Sequence, residues 1–117
     1  MGFYRYLEHA DVHVLDCSGT VDLDVGLERL RTLQLEFAAR PARGAVRKLL
    51  IDFRHTVWAN EDVHRQLSVA TRRDFGLNAE NATLRAAILH PLRSGEVAQN
   101  ECWFVHEAEA MEWLRRA

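Results

Sequence analysis

In the stretch Lys48-Leu-Leu-Ile-Asp-Phe-Arg-His-Thr-Val-Trp-Ala-Asn60, a short apolar run leads directly into a polar loop and the start of a helix. Leu49, Leu50 and Ile51 follow one another with no polar residue between them, which is typical of a strand covered on both faces in a parallel sheet. Ligands of open α/β sheets bind beyond the carboxyl ends of their strands. We therefore expect any recognition site to lie close to residues 52–60.

Upstream of this strand, the sequence predicts a hairpin followed by a helix. Two runs of strand-forming residues, 3–7 and 12–17, are separated by a short polar break. Apolar residues then recur every three or four positions, which indicates one buried stripe of a helix over 22–39. Asp22 is the expected N-cap, and Pro41 disfavours helical geometry at the residue before it. The predicted stripe consists of Leu23, Leu27, Leu30, Leu33 and Phe37.

Downstream of the strand, a second helix is predicted over 61–75. Asn60 offers a capping side chain, and the two acidic residues after it suit the positive end of a helix dipole. Gly76 is expected to end this helix because glycine most easily adopts the left-handed conformation of a helix C-terminus. The predicted inner face consists of Val63, Leu67, Ala70 and Thr71. The remaining predicted elements are a strand over 84–90, a loop or at most one helical turn over 92–100, a strand over 101–105 and a helix over 106–116.

This order of elements predicts a single α/β domain over residues 1–117. The expected architecture is a mainly parallel sheet of four to five strands with an antiparallel first strand and three to four helices. Right-handed crossovers are expected between the parallel neighbours. A chain of 117 residues is long enough to bury a core without disulfides or metal.

The composition is that of a soluble globular protein. Apolar residues make up 48% and charged residues 27%, and a formal charge of -2 gives no electrostatic reason to expect nucleic acid or an anionic membrane as a partner. No apolar window of a signal peptide or a membrane span is present, so we expect no membrane insertion. Cys17 and Cys102 lie in apolar runs, where buried reduced thiols are expected, and a cytoplasmic location follows from this interpretation.

The order of elements also resembles a known family. Leu50-Ile51-Asp52-Phe53 precedes a short loop and a helix, and the chain ends in Phe104-x-x-x-x-x-Ala110-x-x-Trp113-Leu114. Over nearly the whole chain this arrangement is similar to the SpoIIAA-like group of STAS-type domains. Regulatory STAS domains carry a phosphorylatable Ser or Thr at the start of the helix after the central strand.

Here the matching stretch is Trp58-Ala59-Asn60-Glu61, which has no hydroxyl, and Thr56 is the nearest one upstream. The resemblance therefore implies a stand-alone bacterial member without the usual phosphoswitch. It also implies a kinship in fold with the lipid-binding CRAL-TRIO domains.

The candidate site is a rim at the carboxyl ends of the strands. Polar and aromatic residues are concentrated there, and His90 follows a neighbouring strand of the predicted sheet. Each also has a structural interpretation, since a carboxylate can bond loop amides, an Asn can cap a helix and a Trp can cover a sheet edge. The ligand or partner rim is predicted to comprise Asp52, His55, Thr56, Trp58, Asn60, His64 and His90.

The sequence shows no catalytic motif and no metal site. His55 and His64 lack the spacing of a ligand pair, and neither cysteine has a partner at Cys-x-x-Cys spacing. No glycine-rich phosphate loop or Gly-x-Ser-x-Gly elbow is present, so no cofactor is predicted. Four arginines could hold an anion, although such residues more often pair with carboxylates: Arg72, Arg73, Arg85 and Arg93.

We therefore predict a non-catalytic regulatory or protein-interaction domain that binds a protein partner or a small ligand. One alternative is a CRAL-TRIO-like protein that binds an apolar ligand or lipid, and another is a small enzyme that uses Asp52, His55 and His64. A homodimer is expected, because small proteins commonly form twofold dimers. Its interface is predicted at the edge strand with Phe3, Tyr4 and Tyr6, or at the Trp103 and Trp113 corner, where packing is the other interpretation.

Overall fold

The computed structural model describes residues 2–40 and 42–116, with the side chains of residues 2 and 3 outside the described part. The elements alternate as the sequence pattern predicts, with helices where apolar residues recur at three and four positions. The strands are β1 (Gly2–Leu7), β2 (Val12–Cys17), β3 (Gly19–Val21), β4 (Arg47–Asp52), β5 (Thr56–Trp58), β6 (Leu84–Leu89), β7 (Gly95–Ala98) and β8 (Glu101–Phe104). The helices are α1 (Leu23–Ala39), α2 (Glu61–Phe75) and α3 (Glu107–Arg115).

A mixed sheet of six strands forms the centre of the protein, in the order β1-β2-β4-β6-β8-β7. Strands β2, β4, β6 and β8 are parallel, whereas β1 and β7 run antiparallel to their neighbours at the two edges. In the register, Leu50 lies between Val14 on β2 and Ala87 on β6. The prediction of an α/β fold with an antiparallel first strand is confirmed.

The helices cover the two faces of this sheet unequally. Leu33 and Phe37 of α1 pack with Leu49 and Ala86 on one face, which α1 and α2 share. Ala110 and Leu114 of α3 pack on the other face, in a cluster with Val14, Leu50 and Ala87. Because side chains alternate along a strand, β4 supplies Leu49 and Ile51 to the first face and Leu50 to the second. All three are buried, as predicted for a strand covered on both faces.

The prediction of four to five strands was too low. Strand β7 lies within the stretch that was predicted to be a loop or a helical turn, residues 92–100, and it pairs with β8 through an irregular register. Its residues are mostly exposed, so no alternation of buried and exposed positions reveals it in the sequence. The short strands β3 and β5 form a separate two-stranded parallel sheet that was also not predicted.

The helix ends agree with their predicted caps. Asp22 accepts a hydrogen bond from the amide of Val25, and Asn60 accepts one from the amide of Val63. Gly76 ends α2 with a φ of 66°, in the left-handed region that glycine tolerates best.

The prediction that Leu27 belongs to the buried stripe of α1 was wrong, because its side chain is 40% exposed. Its neighbour Gly26 is buried instead, and a Cβ at that position would lie 2.2 Å from Cδ1 of Leu67. The two helices therefore approach each other through a glycine, which turns Leu27 outward.

Candidate functional site

The carboxyl ends of the parallel strands are covered by the small β3–β5 sheet. The amide of Gly19 donates to the carbonyl of His55, and the amide of Ala59 donates to the carbonyl of Val21. The hydroxyl of Thr56 donates to the carbonyl of Cys17 at the end of β2. The loop after β4 is therefore bonded to the backbone of the chain that follows β2, and the Thr56 hydroxyl contributes to that attachment.

Asp52 is held by the residue two positions after it. Its carboxylate accepts hydrogen bonds from the backbone amide and from the Nε and Nη2 atoms of Arg54, at distances of 2.9 to 3.0 Å. Burial alone would raise the pKa of Asp52, but the hydrogen bonds from Arg54 outweigh it and hold the pKa below its ordinary value. Arg54 also lies 3.6 Å from Glu107 at the start of α3. Asp52 thus fixes the turn after the central strand.

Three of the predicted rim residues meet in an aromatic cluster. The rings of Trp58 and His64 are stacked with their centroids 4.5 Å apart, and His90 lies 6.4 Å from His64 on a nearly parallel plane. Trp103 closes the cluster at 5.5 Å from His90, and Phe53 packs edge-on against Trp58. The structure therefore brings Trp58, His64 and His90 together. The rings of Phe53 and Trp103 pack against this group.

The two histidines of this cluster are uncharged in their preferred state. Nδ1 of His90 accepts hydrogen bonds from the amides of Leu92 and Arg93, so the proton of a neutral ring is on Nε2. Nε2 of His64 is buried and has no hydrogen-bond partner among the described residues. Burial, followed by the positive charge of Arg93, lowers the pKa of both rings, since a cationic ring there would lose its hydration.

The other predicted rim residues are dispersed. His55 is exposed, and its backbone carbonyl is the group that bonds Gly19. Asn60 is exposed and caps α2, as its structural interpretation predicted. No hydrogen bond joins Asp52, His55 and His64 within the described part of the chain. The three residues proposed for a small enzyme are therefore not joined in a hydrogen-bonded network, although His55 lies close enough to Asp52 to contribute to lowering its pKa.

A buried carboxylate that was not predicted as a site residue lies beside the cluster. Glu101, at the start of β8, is 2% exposed. It accepts hydrogen bonds of 3.1 and 2.7 Å from Nε and Nη2 of Arg72 on α2, and its Oε2 accepts another of 3.0 Å from the indole of Trp103. The sequence signal was weak, because an acidic residue before a short apolar run is usually solvated and its partner is 29 positions away.

The other arginines that could have held an anion are also engaged. Arg73 pairs with Asp74, Arg93 lies 3.6 Å from Glu61, and the guanidinium of Arg85 lies 3.7 Å from the centre of the Trp113 ring. Arg72, Arg73 and Arg93 therefore pair with carboxylates, which is the more common role of such residues.

A small cavity lies between α1, α2 and the sheet face that they cover. Its volume is about 50 Å³ and its wall is mostly apolar. Arg72 and Trp103 line this cavity and also an open surface groove of about 630 Å³ beside β7, so they separate the two spaces. The apolar part of the cavity wall includes Leu15, Val21, Leu30, Ile51, Trp58 and Leu67.

The described residues form neither a metal-binding cluster nor a membrane-spanning helix. They contain no group of three or more histidine, cysteine or acidic side chains placed to hold a metal ion. Within the same residues, no helix has the length and apolar character needed to cross a bilayer. Cys17 and Cys102 are buried free thiols, as the sequence predicted.

We expect the free energy of unfolding to decrease as the pH falls from about 7.5 to 5.5. The folded state lowers the pKa of His13, His64 and His90 below the ordinary value of 6.5, mainly through burial, so it favours their neutral forms. The unfolded chain therefore binds more protons below that value, and stability is lost as the pH falls through it. Urea unfolding at several pH values measures the decrease. His64→Phe, which keeps a ring in the stack, should reduce the slope, and an unchanged slope would contradict the role assigned to His64.

Removing the cation that pairs with Glu101 should destabilise the folded protein. We expect Arg72→Met to lower the free energy of unfolding by roughly 3 kcal/mol, because it leaves a buried carboxylate without its partner. The matched control is Arg73→Met on the same helix, where the surface pair with Asp74 should contribute less than about 1 kcal/mol. Chemical denaturation of the two variants measures the difference. Equal costs would show that the pair with Glu101 has no special weight.

Comparison of the sequence with known proteins identified no relative. Neither the models of known protein families nor the curated proteins contain a match to this chain. The resemblance to SpoIIAA-like domains therefore stays a prediction from the order and spacing of the elements.

Proposed function

We propose that this protein is a non-catalytic interaction domain of the SpoIIAA-like, STAS type, and that it recognises a protein partner through the loop 54–60. The observation that supports this proposal is the exposure of Val57, whose side chain is 61% exposed between Thr56 and Trp58. Both neighbours are partly buried and engaged with the rest of the fold. An apolar side chain presented by a rigidly attached loop is suited to contact a partner.

The partner's contact is proposed to be an extended peptide segment. Within the described residues β5 pairs with β3 alone, which leaves its other edge without a strand partner. An extended segment can pair with such an edge through main-chain hydrogen bonds, while a side-chain contact supplies specificity. Val57 and the exposed His55 would then form the side-chain part of the interface. Trp58 would support the loop from below.

The chemistry of the rim supports a non-catalytic role. A general base needs a free acceptor within reach of a substrate proton, but the carboxylate of Asp52 is occupied by Arg54. A nucleophile needs an adjacent base, and the Thr56 hydroxyl donates to a backbone carbonyl instead. The same bond makes Thr56 a poor substitute for the phosphorylated residue of regulatory STAS domains.

Ligand binding of the CRAL-TRIO kind has less support. Drug-sized ligands occupy pockets of roughly 300 Å³ or more, whereas the cavity beneath α1 and α2 measures about 50 Å³. A lipid does not fit such a space. The groove beside β7 is larger, at about 630 Å³, but it is open and its wall includes the charged residues Arg72, Arg93 and Glu96.

The two free buried thiols support a reducing compartment, and we propose a cytoplasmic location on that ground.

We also propose a homodimer that forms through the exposed edge of β1. Strand β1 ends the sheet on one side, and an unpaired edge strand is a template for pairing with a second copy. Tyr4 and Tyr6 of the predicted patch are partly buried, and the side chain of Phe3 is outside the described residues. The corner formed by Trp103 and Trp113 is a weaker candidate for the interface, because Trp103 is buried and Arg85 covers the Trp113 ring.

The recognition surface can be tested by placing a charge on it. Val57→Asp should abolish capture of the partner from a lysate of the host, because a carboxylate would have to be buried in an apolar contact. The variant should unfold within about 0.5 kcal/mol of the wild type, since the side chain is exposed. Affinity capture with quantitative mass spectrometry measures the loss.

The matched control is Val69→Asp on α2, where the side chain is 56% exposed and lies outside the loop. A partner that binds the loop is retained by this variant. If the same proteins are captured by the wild type and both variants, or none is enriched by the wild type, the loop is not a recognition surface.

The proposed dimer predicts a sedimenting species of twice 13.5 kDa at micromolar concentration. Amide hydrogen exchange in β1 should slow as the dimer forms, because pairing protects the edge amides. The amides of β7 at the opposite edge of the sheet serve as the internal control and should not change. A monomeric mass at every concentration would rule the dimer out.

A further inference from the structure

The segment of residues 91–94, which connects β6 to β7, lies on the surface of the protein. All four of its side chains are exposed, and that of Leu92 is 87% exposed. The segment also forms one side of the open groove of about 630 Å³ beside β7. Because so little apolar surface is buried here, the hydrophobic effect contributes little to holding the segment in place. Its position depends on polar contacts.

Two of these contacts are hydrogen bonds accepted by a single ring. Nδ1 of His90 accepts one bond of 3.0 Å from the amide of Leu92 and another of 3.1 Å from the amide of Arg93. His90 itself is held by the sheet, since its own amide donates to the carbonyl of Phe104. The side chain of Arg93 also lies 3.6 Å from Glu61, but both side chains are largely exposed and such a pair contributes little. His90 therefore fastens the segment to the end of β6.

Protonation of His90 removes this acceptor. A neutral imidazole accepts a hydrogen bond at one nitrogen, whereas the cationic ring has an N–H group at both nitrogens and accepts at neither. The new Nδ1–H group would point at the amide hydrogens of Leu92 and Arg93. Neither bond can persist in that geometry, and the segment has to move before the three N–H groups can bond water.

We propose that residues 91–94 form a strap that His90 holds in its neutral form and releases when its ring takes up a proton. The strap ends at Gly95, where the pairing of β7 with β8 begins, so the sheet itself stays intact. Release would open the groove on the side that the strap forms. The strap is separate from the loop 54–60 and does not depend on the interaction proposed for that loop.

The charges around His90 determine the pH range of the release. Burial, followed by the positive charges of Arg93 and of His64 on α2, lowers the pKa of His90 below its ordinary value of 6.5. The strap is therefore held at neutral pH and is released as the pH falls below that value. The other charged groups at this end of the sheet form ion pairs, which are Asp52 with Arg54, Glu107 with Arg54, Glu101 with Arg72 and Glu61 with Arg93.

Amide hydrogen exchange of the full chain, followed by NMR between about pH 7.5 and 5.0, tests the strap. We expect the protection of the Leu92 and Arg93 amides, corrected for the intrinsic exchange rate at each pH, to fall roughly 10-fold as the ring of His90 titrates. The ring signals of His90 report its protonation in the same samples. The amides of Leu50 and Ile51 in the central strand are the internal control and should stay protected.

Two substitutions of His90 separate the acceptor from the ring. His90→Asn places a side-chain oxygen close to the position of Nδ1 and does not titrate, so the strap should be held throughout the pH range. His90→Phe keeps a ring but offers no acceptor, so the amides of Leu92 and Arg93 should be unprotected even at neutral pH. The matched control is His64→Phe, which removes the neighbouring titratable ring and should preserve the response of the strap.

The wild type and His90→Asn decide the proposal even if His90→Phe fails to fold. Protection of Leu92 and Arg93 that is unchanged while His90 titrates would overturn it. The same fall in His90→Asn as in the wild type would do so too. Loss of protection only together with Leu50 and Ile51 would show that the segment opens by unfolding of the whole domain, and this outcome also contradicts the strap.

Discussion

The hydrogen-bonded pair of Arg72 and Glu101 is the constraint on which the arrangement of the helical face depends. A buried carboxylate is tolerated only when its lone pairs are satisfied, and here one guanidinium and one indole do so. The pair ties α2 to β8, two elements that are far apart in the chain. It also orients Trp103, and the ring of Trp103 supports the two histidines of the aromatic cluster. Trp58 stacks on His64 in the same cluster, while backbone hydrogen bonds attach β5 to β3.

Most of the polar residues after the central strand form hydrogen bonds that stabilise the rim itself. Asp52 bonds Arg54, Thr56 bonds the carbonyl of Cys17, and Asn60 caps α2. A loop stabilised in this way loses little conformational entropy on binding, which is an advantage for a recognition surface. The same bonds engage the carboxylate of Asp52 and the hydroxyl of Thr56 within the fold.

The sequence predicted the elements whose signals are local. Leu49, Leu50 and Ile51 form an uninterrupted apolar run, and Asp22, Asn60 and Gly76 are caps whose chemistry is confined to one helical turn. Features that depend on distant residues were not predictable. Strand β7 exists because β8 offers it an edge, the β3–β5 sheet joins segments that are 37 residues apart in register, and Leu27 is exposed because α1 meets α2 at a glycine.

The same distinction between local and distant signals applies to the candidate site. Proximity of Trp58, His64 and His90 could be expected from their places at the ends of parallel strands and at a helix start. Their packing in an aromatic cluster could not, because it depends on Trp103 and on the orientation that Glu101 gives it. The burial of Glu101 required a partner from another element. The cavity depends on how closely two helices pack, which no pattern in a single sequence reports.

The order of the strands has a consequence for how the protein is made. Between β1 and β6 each new strand joins the edge that the preceding one left open, so the sheet can grow as the chain leaves the ribosome. This regularity ends at β7, which precedes β8 in the chain but lies outside it in the sheet. The segment of β7 therefore stays unpaired until β8 has been synthesised. Until then β6 presents an open edge and Arg72 lacks the carboxylate of Glu101, and an open strand edge is a template for pairing with another chain.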